Sequence, residues 1–574
     1  MRVCRLIRGW IMRKLGSALA LAAGFTLAVS MPSFAVGVVG PATGASSDPY
    51  QGCTVGAGTG RNYTRSEVEP YGSVNPTNAD NIVAVFQQDR WSNGGAHGLA
   101  ASVTKDGGTT WSVVALPFSA CATGAPSDLQ YQRASDPWVS FGSGTESNAA
   151  VGATAYTISL SFNQSPGHNG NTVGVAVSYD GGSTWTHAQS LQGDAQTGVP
   201  LPVPDSNFQY FHDKESVTAD PTTNGTAYAV WDVLIGPNMS VEADLHAAAF
   251  SDFTLFSKTT NFGRTWSPAR IINNSAHPTV RNNQTIGNVI VVDPVNGTIY
   301  DFFNQIYNTG SNTGGNPNGA KRYNVAFQKS TDQGASWTAP QIISPLGTAL
   351  VFDPNNVNPI PRSNGSFRPP APIRTGDIIP EPAIDPVTGD LYVVWQDARF
   401  SGHDEIAISR STNGGNTWST PKRVNTPDGN QAFTASVAVT DSGTAETTKT
   451  RGKVGVTYYQ FGPTSSGQEP TTYLIKEFSG SAFDSTSIDT GIPATTVAGP
   501  FNMLDAPYAS GYFTGDYEAL ATRGTGEGAT FVPVFVQGAC GNSLNCSALT
   551  SVTPPVDRTP TGNNSTDVYV GVDF

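Results

Sequence analysis

The sequence is short of charge and of sulfur. Only 13% of its 574 residues are Asp, Glu, Lys or Arg, too few for a chain held open by self-repulsion. Lysine and arginine together number 31 against 44 aspartates and glutamates, a formal net charge of −13. That balance disfavours nucleic acid and anionic membrane as partners, since both are gripped through an excess of cations. The five cysteines and seven histidines lack the paired spacing of a zinc site. His212 and His246 are the two histidines with a candidate role. No Gly-x-Ser-x-Gly elbow, His-Glu-x-x-His helix or phosphate-cradling glycine loop occurs. Long apolar runs are missing too, with one exception.

The exception is N-terminal. Arg2, Arg5, Arg8, Arg13 and Lys14 precede a mostly apolar stretch, 15–31, and Ser33-Phe34-Ala35 places small residues at −3 and −1 of a cleavage point. This predicts a signal peptide over 1–35, export by the general route, and a secreted mature chain without a membrane span. Losing those five basic residues takes the net charge from −13 to −18. Cys4 leaves with the signal. Cys53, Cys121, Cys540 and Cys546 remain, an even number in an exported chain, so disulfides are expected. Three pairings are open. The short Gly-Asn-rich loop favours Cys540 with Cys546, leaving Cys53 with Cys121.

What is abundant is turn and strand material. Sixty-two glycines and forty prolines, with many Thr, Ser, Val and Tyr, read as short strands in an all-β chain. One octapeptide recurs five times. Its copies are Thr104-x-Asp106-x-Gly108-x-Thr110-Trp111, Ser178-x-Asp180-x-Gly182-x-Thr184-Trp185, Thr259-x-Asn261-x-Gly263-x-Thr265-Trp266, Ser330-x-Asp332-x-Gly334-x-Ser336-Trp337 and Ser411-x-Asn413-x-Gly415-x-Thr417-Trp418. The Asp or Asn can accept from turn N–H groups, the Gly takes a positive φ, and the Trp covers the hairpin. Asp106, Asp180, Asn261, Asp332 and Asn413 are therefore structural. Successive Trp residues lie 74, 81, 71 and 81 positions apart, so one unit is close to eighty residues.

This octapeptide resembles the Asp-box of the sialidase (neuraminidase) superfamily. The resemblance implies a β-propeller of four-stranded antiparallel blades, with the box between the third and fourth strands. A second repeat interleaves with it: a short strand, an Asx-Pro or similar turn, and a strand ending in an aromatic and a polar pair. It begins near Ser73, Trp138, Ser216, Val291, Ala383, Val437 and Ala519. Seven copies favour seven blades, with six as the alternative that the catalytic members of the family imply. The segment 36–60 reads as an N-terminal extension and 61–574 as the propeller, closed by the alternating strand 567–572.

Functional residues are expected where first strands begin and second strands end. Those positions carry Glu69, Arg90, Asp136, Asp213, Glu215, Glu381, Asp397, Arg399, Asp516 and Tyr517. They suit a glycan, whose hydroxyls bind carboxylates and Arg and whose faces stack on rings such as Tyr517 or Trp138. No cofactor is expected, although a structural cation such as calcium would suit so many carboxylates. The resemblance implies a secreted glycoside hydrolase of exo-sialidase type, with a Tyr nucleophile, an activating Glu, an Asp acid/base and three Arg on the substrate carboxylate. Arg90, Arg133, Arg374 and Arg399 are the arginines available for such a clamp. The chain has no Arg-Ile-Pro, a motif members carry near the first blade. Tyr517 and Glu518 are adjacent, and neighbouring strand residues point to opposite faces. No catalytic residue is assigned. The competing reading is a non-catalytic, extracellular glycan- or protein-binding propeller, expected to be a monomer.

Overall fold

The computed structural model describes residues 38–41, 48–56, 60–145, 152–164, 170–193, 208–237, 251–273, 283–308, 321–354, 360–361, 367–368, 371–426, 430–443, 450–462, 470–484, 488, 492–538 and 564–574. The signal segment, His246, Cys540 and Cys546 lie outside them. The fold belongs to the compact unit Gly37–Phe574.

Second strands such as Ile82–Trp91, Ala153–Phe162 and Leu391–Asp397 are buried at every position. A strand buried on both faces belongs to a sheet covered on both sides. The strands form four-stranded antiparallel meanders over 62–115, 133–193, 208–271, 283–346, 381–423 and 432–501, and a last one over 519–572. The innermost strands touch one another in chain order, and Ala519–Arg523 returns to Asn62–Val74. The architecture is an all-β propeller of four-stranded blades.

The expected count of seven separate blades, or six, is corrected. Among the described residues five blades stand as separate four-stranded sheets. The meanders 62–115 and 133–193 instead share one eight-stranded sheet, joined through the pair Ala96 and Ala134. The cause is local. Gly95 has φ +62, and a Cβ there would lie 3.2 Å from the Ala134 carbonyl. Glycine takes this positive φ without strain and leaves room for the second meander, whose Phe162 ring would lie 2.7 Å from a Cβ.

The boundary at residue 60 is not a boundary of the fold. Strand Val38–Pro41 pairs antiparallel with Thr566–Val572, so the N-terminal segment supplies the fourth strand of the last blade. Cys53 is bonded to Cys121, and the Tyr50 hydroxyl donates to the Leu99 carbonyl at 2.5 Å. The disulfide fastens this segment to the loop after the first meander, and Tyr50 fastens it to the meander itself.

Aromatic and branched side chains fill the layers between blades. Trp231 and Trp395 are almost wholly buried, and Trp231 packs with Trp138, Val177 and Leu255. Burying such a side chain stabilises by about 1.5–3 kcal/mol, so these layers rather than the exposed turns dominate stability.

The octapeptides lie between third and fourth strands. In the first copy Asp106 Oδ1 accepts from the Thr110 N–H at 2.9 Å, Asp106 Oδ2 accepts from the Thr110 hydroxyl at 2.6 Å, and Thr104 Oγ1 accepts from the Gly108 N–H at 3.0 Å. The bonds from Thr110, then from Thr104, hold the Asp106 carboxyl down at about 2. The glycine also docks the neighbouring unit. At Gly182, φ +97, a Cβ would sit 2.5 Å from Val83 and 3.0 Å from Val103 in the preceding meander. Gly108 faces Val572 of the last strand in the same way. Replacing Gly182 by Ala therefore combines a strained φ with an inter-blade clash. It should cost roughly 2–4 kcal/mol in urea unfolding. Gly347→Ala, where nothing lies within 4 Å, should be near neutral.

Candidate functional site

The innermost strands are not regular. In five of them two residues face one on the second strand. The doubled pairs are Glu69-Pro70, Asp136-Pro137, Lys214-Glu215, Gly287-Asn288 and Thr434-Ala435. The first residue of each pair has a positive φ: 51° at Glu69, 53° at Asp136, 50° at Lys214, 72° at Gly287 and 48° at Thr434. These are β-bulges, and a bulge re-aims side chains. Four of the five residues are not glycine, so the conformation is strained, and strain of this kind concentrates at functional sites.

Three bulge residues from consecutive meanders meet one another. Lys214 Nζ lies 2.8 Å from Asp516 Oδ2, 3.1 Å from Asp136 Oδ2 and 3.5 Å from Glu69 Oε1. Arg374 grips the same Asp516 with two bonds, Nε to Oδ1 at 3.0 Å and NH2 to Oδ2 at 2.5 Å. The Asp516 N–H donates to Glu69 Oε1 at 3.3 Å. Gln87 donates to Glu69 Oε2 and accepts from Arg90 NH1 at 2.8 Å. The Arg90 and Arg374 guanidiniums stack on Phe513, 4.9 and 4.4 Å from its centroid. All these groups are buried except Arg374, whose side chain is 26% exposed.

The cluster divides its protons unevenly. Burial lifts Glu69 to about 8; Lys214 opposes the shift, while Asp136 and Asp516 add to it. Burial would lift Asp516 as well, but Arg374 and Lys214 outweigh it and hold that carboxyl well below its ordinary range. Lys214 loses to burial but gains more from Asp136, Asp516 and Glu69, so it stays charged. Glu215 is pushed well up, first by burial and then by Asp136. Neutral Glu69 beside ionised Asp516 is the pattern of an acid and a base held apart by their surroundings.

Beneath the cluster the axis is closed by aromatic rings. Tyr71 stacks on Trp138 at 3.4 Å between centroids, and Tyr517 lies 5.3 Å from Trp138. The Tyr517 hydroxyl donates to the Pro137 carbonyl at 3.0 Å. Tyr517 and Trp138 are thus buried against each other, which corrects the expectation that they stack on a ligand. Glu381 belongs to this layer, where its charge acts on Tyr71, and burial pushes its own carboxyl well up.

The remaining expected residues fall elsewhere. Asp213 pairs in register with Asp232, and its Oδ1 accepts the Lys214 N–H at 3.1 Å. Asp397 and Arg399 bond to each other at 2.6 Å, and Arg399 also donates to Ser344. The three-arginine clamp is not assembled. Of its candidates Arg90 and Arg374 reach the cluster, Arg133 caps Trp91, Arg399 stays with Asp397, and the third cation is a lysine. Tyr517 and Glu518 diverge as alternation requires, Glu518 accepting from the Tyr459 hydroxyl at 2.6 Å instead. His212 accepts from Trp231 Nε1 at 3.1 Å, and burial pushes it down to about 3. Among the described residues no group of three or more His, Cys, Asp or Glu is placed to hold a metal ion, and no helix is long and apolar enough to cross a membrane.

Lys214 and Gln87 are not among the residues expected from the sequence. Lys214 sits between two acids already chosen, Asp213 and Glu215, and strict alternation sends it to the other face. Only the bulge turns it inward. The Glu69-Pro70 and Asp136-Pro137 pairs were the available signal, because proline is tolerated in a strand at a bulge.

No protein-family model matches the chain, and no curated protein matches it. Solved structures do. A Hadza microbial sialidase is 15% identical, over 73% of this chain and 67% of that one, with a TM-score of 0.37. An α-L-arabinofuranosidase from Fusarium graminearum is 13% identical over 73% and 98%, with a TM-score of 0.38. An intramolecular trans-sialidase from Ruminococcus gnavus is 13% identical over 86% and 94%, with a TM-score of 0.35. Likeness of this order assigns neither activity nor site residue. The structural neighbours of the chain include sialidases, the superfamily that its octapeptide repeat resembles, at low identity throughout.

Proposed function

We propose that the protein is a secreted, glycan-acting propeller that cleaves a glycosidic bond at the axial cluster by carboxyl acid–base chemistry. The observation that carries the reading is the pairing of Glu69, raised to about 8, with Asp516, held low by Arg374 and Lys214. A glycosidase needs one carboxyl that keeps its proton near neutrality and another that is ionised. In this reading Glu69 donates a proton to the leaving oxygen, and ionised Asp516 supports positive charge developing on the sugar. Gln87 orients Glu69, and Arg374, the exposed member, borders the entrance. The exo-sialidase form is not the one proposed, because Arg374 already holds Asp516 and Arg90 is tied to Gln87. Non-catalytic glycan binding is the second reading, favoured by the ion pairs that already engage Lys214 and Arg374 within the chain.

The test is turnover of a panel of aryl glycosides, including a sialoside and an arabinofuranoside. Glu69→Gln should lower kcat by about 10²–10⁴-fold with the fold retained. In the wild type, kcat/KM should fall as pH rises through about 8, where Glu69 loses its proton. Binding of a panel sugar without turnover would leave the second reading standing.

A further inference from the structure

The charge count at the axis points to a class of ligand. We propose that the axial site selects glycans carrying free amino groups over neutral ones, and rejects acidic ones; this rests on the axial cluster being the glycan site. Three cations stand there, Lys214, Arg374 and Arg90. Each is already engaged: Lys214 by three carboxylates, Arg374 by both oxygens of Asp516, and Arg90 by Gln87 and the face of Phe513. An acidic sugar would have to break one of these contacts and enter beside Asp516, Asp136 and Glu69. Five carboxyl groups, Glu69, Asp136, Asp213, Glu215 and Asp516, stand against these three cations, and burial pushes two of them, Glu69 and Glu215, towards the protonated form.

Glu215 supplies the independent observation. Its side chain is 2% exposed, yet neither carboxyl oxygen has a hydrogen-bond partner on another residue. Buried polar groups are normally satisfied, and an exception calls for an explanation. Glu215 follows the Lys214 bulge directly, and its charge also acts on Tyr517, which places it at the inner end of the cluster. An ammonium group offers donors and positive charge together, so it can take the place of the proton that burial favours on Glu215 and fill acceptors that no other residue fills. A hydroxyl brings only the donor, and a sugar carboxylate brings neither.

Calorimetric titration with glucosamine oligomers, their N-acetylated counterparts and sialylated oligosaccharides tests this. The amino form should bind at least tenfold tighter than the N-acetylated form, and its affinity should fall as salt rises. Glu215→Gln should remove most of that preference, weakening the amino form about tenfold and the N-acetylated form by much less. Equal or tighter binding of the N-acetylated or sialylated sugars would overturn the inference while leaving the axial glycan site intact. Binding that Glu69→Gln, Glu215→Gln and Arg374→Met all leave unaltered would overturn both. If Glu215→Gln fails to fold, Asp136→Asn reads the same loss of preference.

Discussion

Raising the pH from about 5 to about 8.5 is expected to lower the melting temperature by on the order of 10 °C. Seven buried carboxyls contribute. Burial raises Glu69 to about 8 and Asp404 to about 7, and pushes Glu215, Glu381, Glu518, Asp232 and Asp301 well up. A carboxyl raised in the folded state binds its proton more tightly there than in the unfolded chain. Its contribution is complete below the unfolded value and is lost as the pH climbs through the folded one. Asp516, the octapeptide aspartates Asp106, Asp180 and Asp332, and His212 act in the opposite sense. Asp516 stabilises above the ordinary carboxylate range and loses its effect as the pH falls. His212, pushed down to about 3 by burial, destabilises below the ordinary histidine range. Greatest stability should therefore lie on the acid side of neutrality, above the range where Asp516 titrates. Thermal melts across that range check it, and Glu215→Gln should flatten the alkaline decline. A melting temperature that holds or rises to pH 8 would contradict the protonation scheme.

The second large effect concerns Lys214. Replacing it with Met removes the one cation that touches Glu69, Asp136 and Asp516 together. Breaking a buried ion pair from one side costs about 3–5 kcal/mol, because the stranded charge stays buried. Here three carboxyl groups from distant parts of the chain lose their shared partner. Arg374→Met should cost less, about 1–2 kcal/mol, since its side chain is 26% exposed and water can take its place beside Asp516. Urea unfolding of the two variants gives the ordering. Adding Asp136→Asn to Lys214→Met should restore part of the loss. Equal costs at the two sites would mean that the cluster is wetter than its burial indicates.

The octapeptide made the propeller legible, because its chemistry is local: Asp106 bonds to Thr110 four residues away and Gly108 to Thr104. Its second role, docking Gly182 on Val83, joins residues far apart in sequence and left no local trace. The merging of the first two meanders had the same cause at Gly95. The axial carboxylates Glu69, Asp136, Glu215 and Asp516 were legible as an acidic face. What strand alternation concealed was the insertion of one residue in each of five innermost strands. That insertion turned Lys214 toward the axis between two acids, and separated Asp213 from Glu215, which strict alternation would place on one face. Asp397 and Arg399 were correctly placed at a strand end, but their own ion pair keeps them out of the cluster.

The two ends of the propeller give the most direct test of the axial reading. Glu69→Gln alters the axial cluster, whereas Asp332→Asn alters an octapeptide turn whose Oδ2 accepts from Ser336 at 2.6 Å. Turnover of the best glycoside substrate should be measured for both variants at matched folded fraction. Glu69→Gln should lose about 10²-fold or more in kcat, and Asp332→Asn should keep wild-type turnover. Full activity in Glu69→Gln would contradict the axial reading.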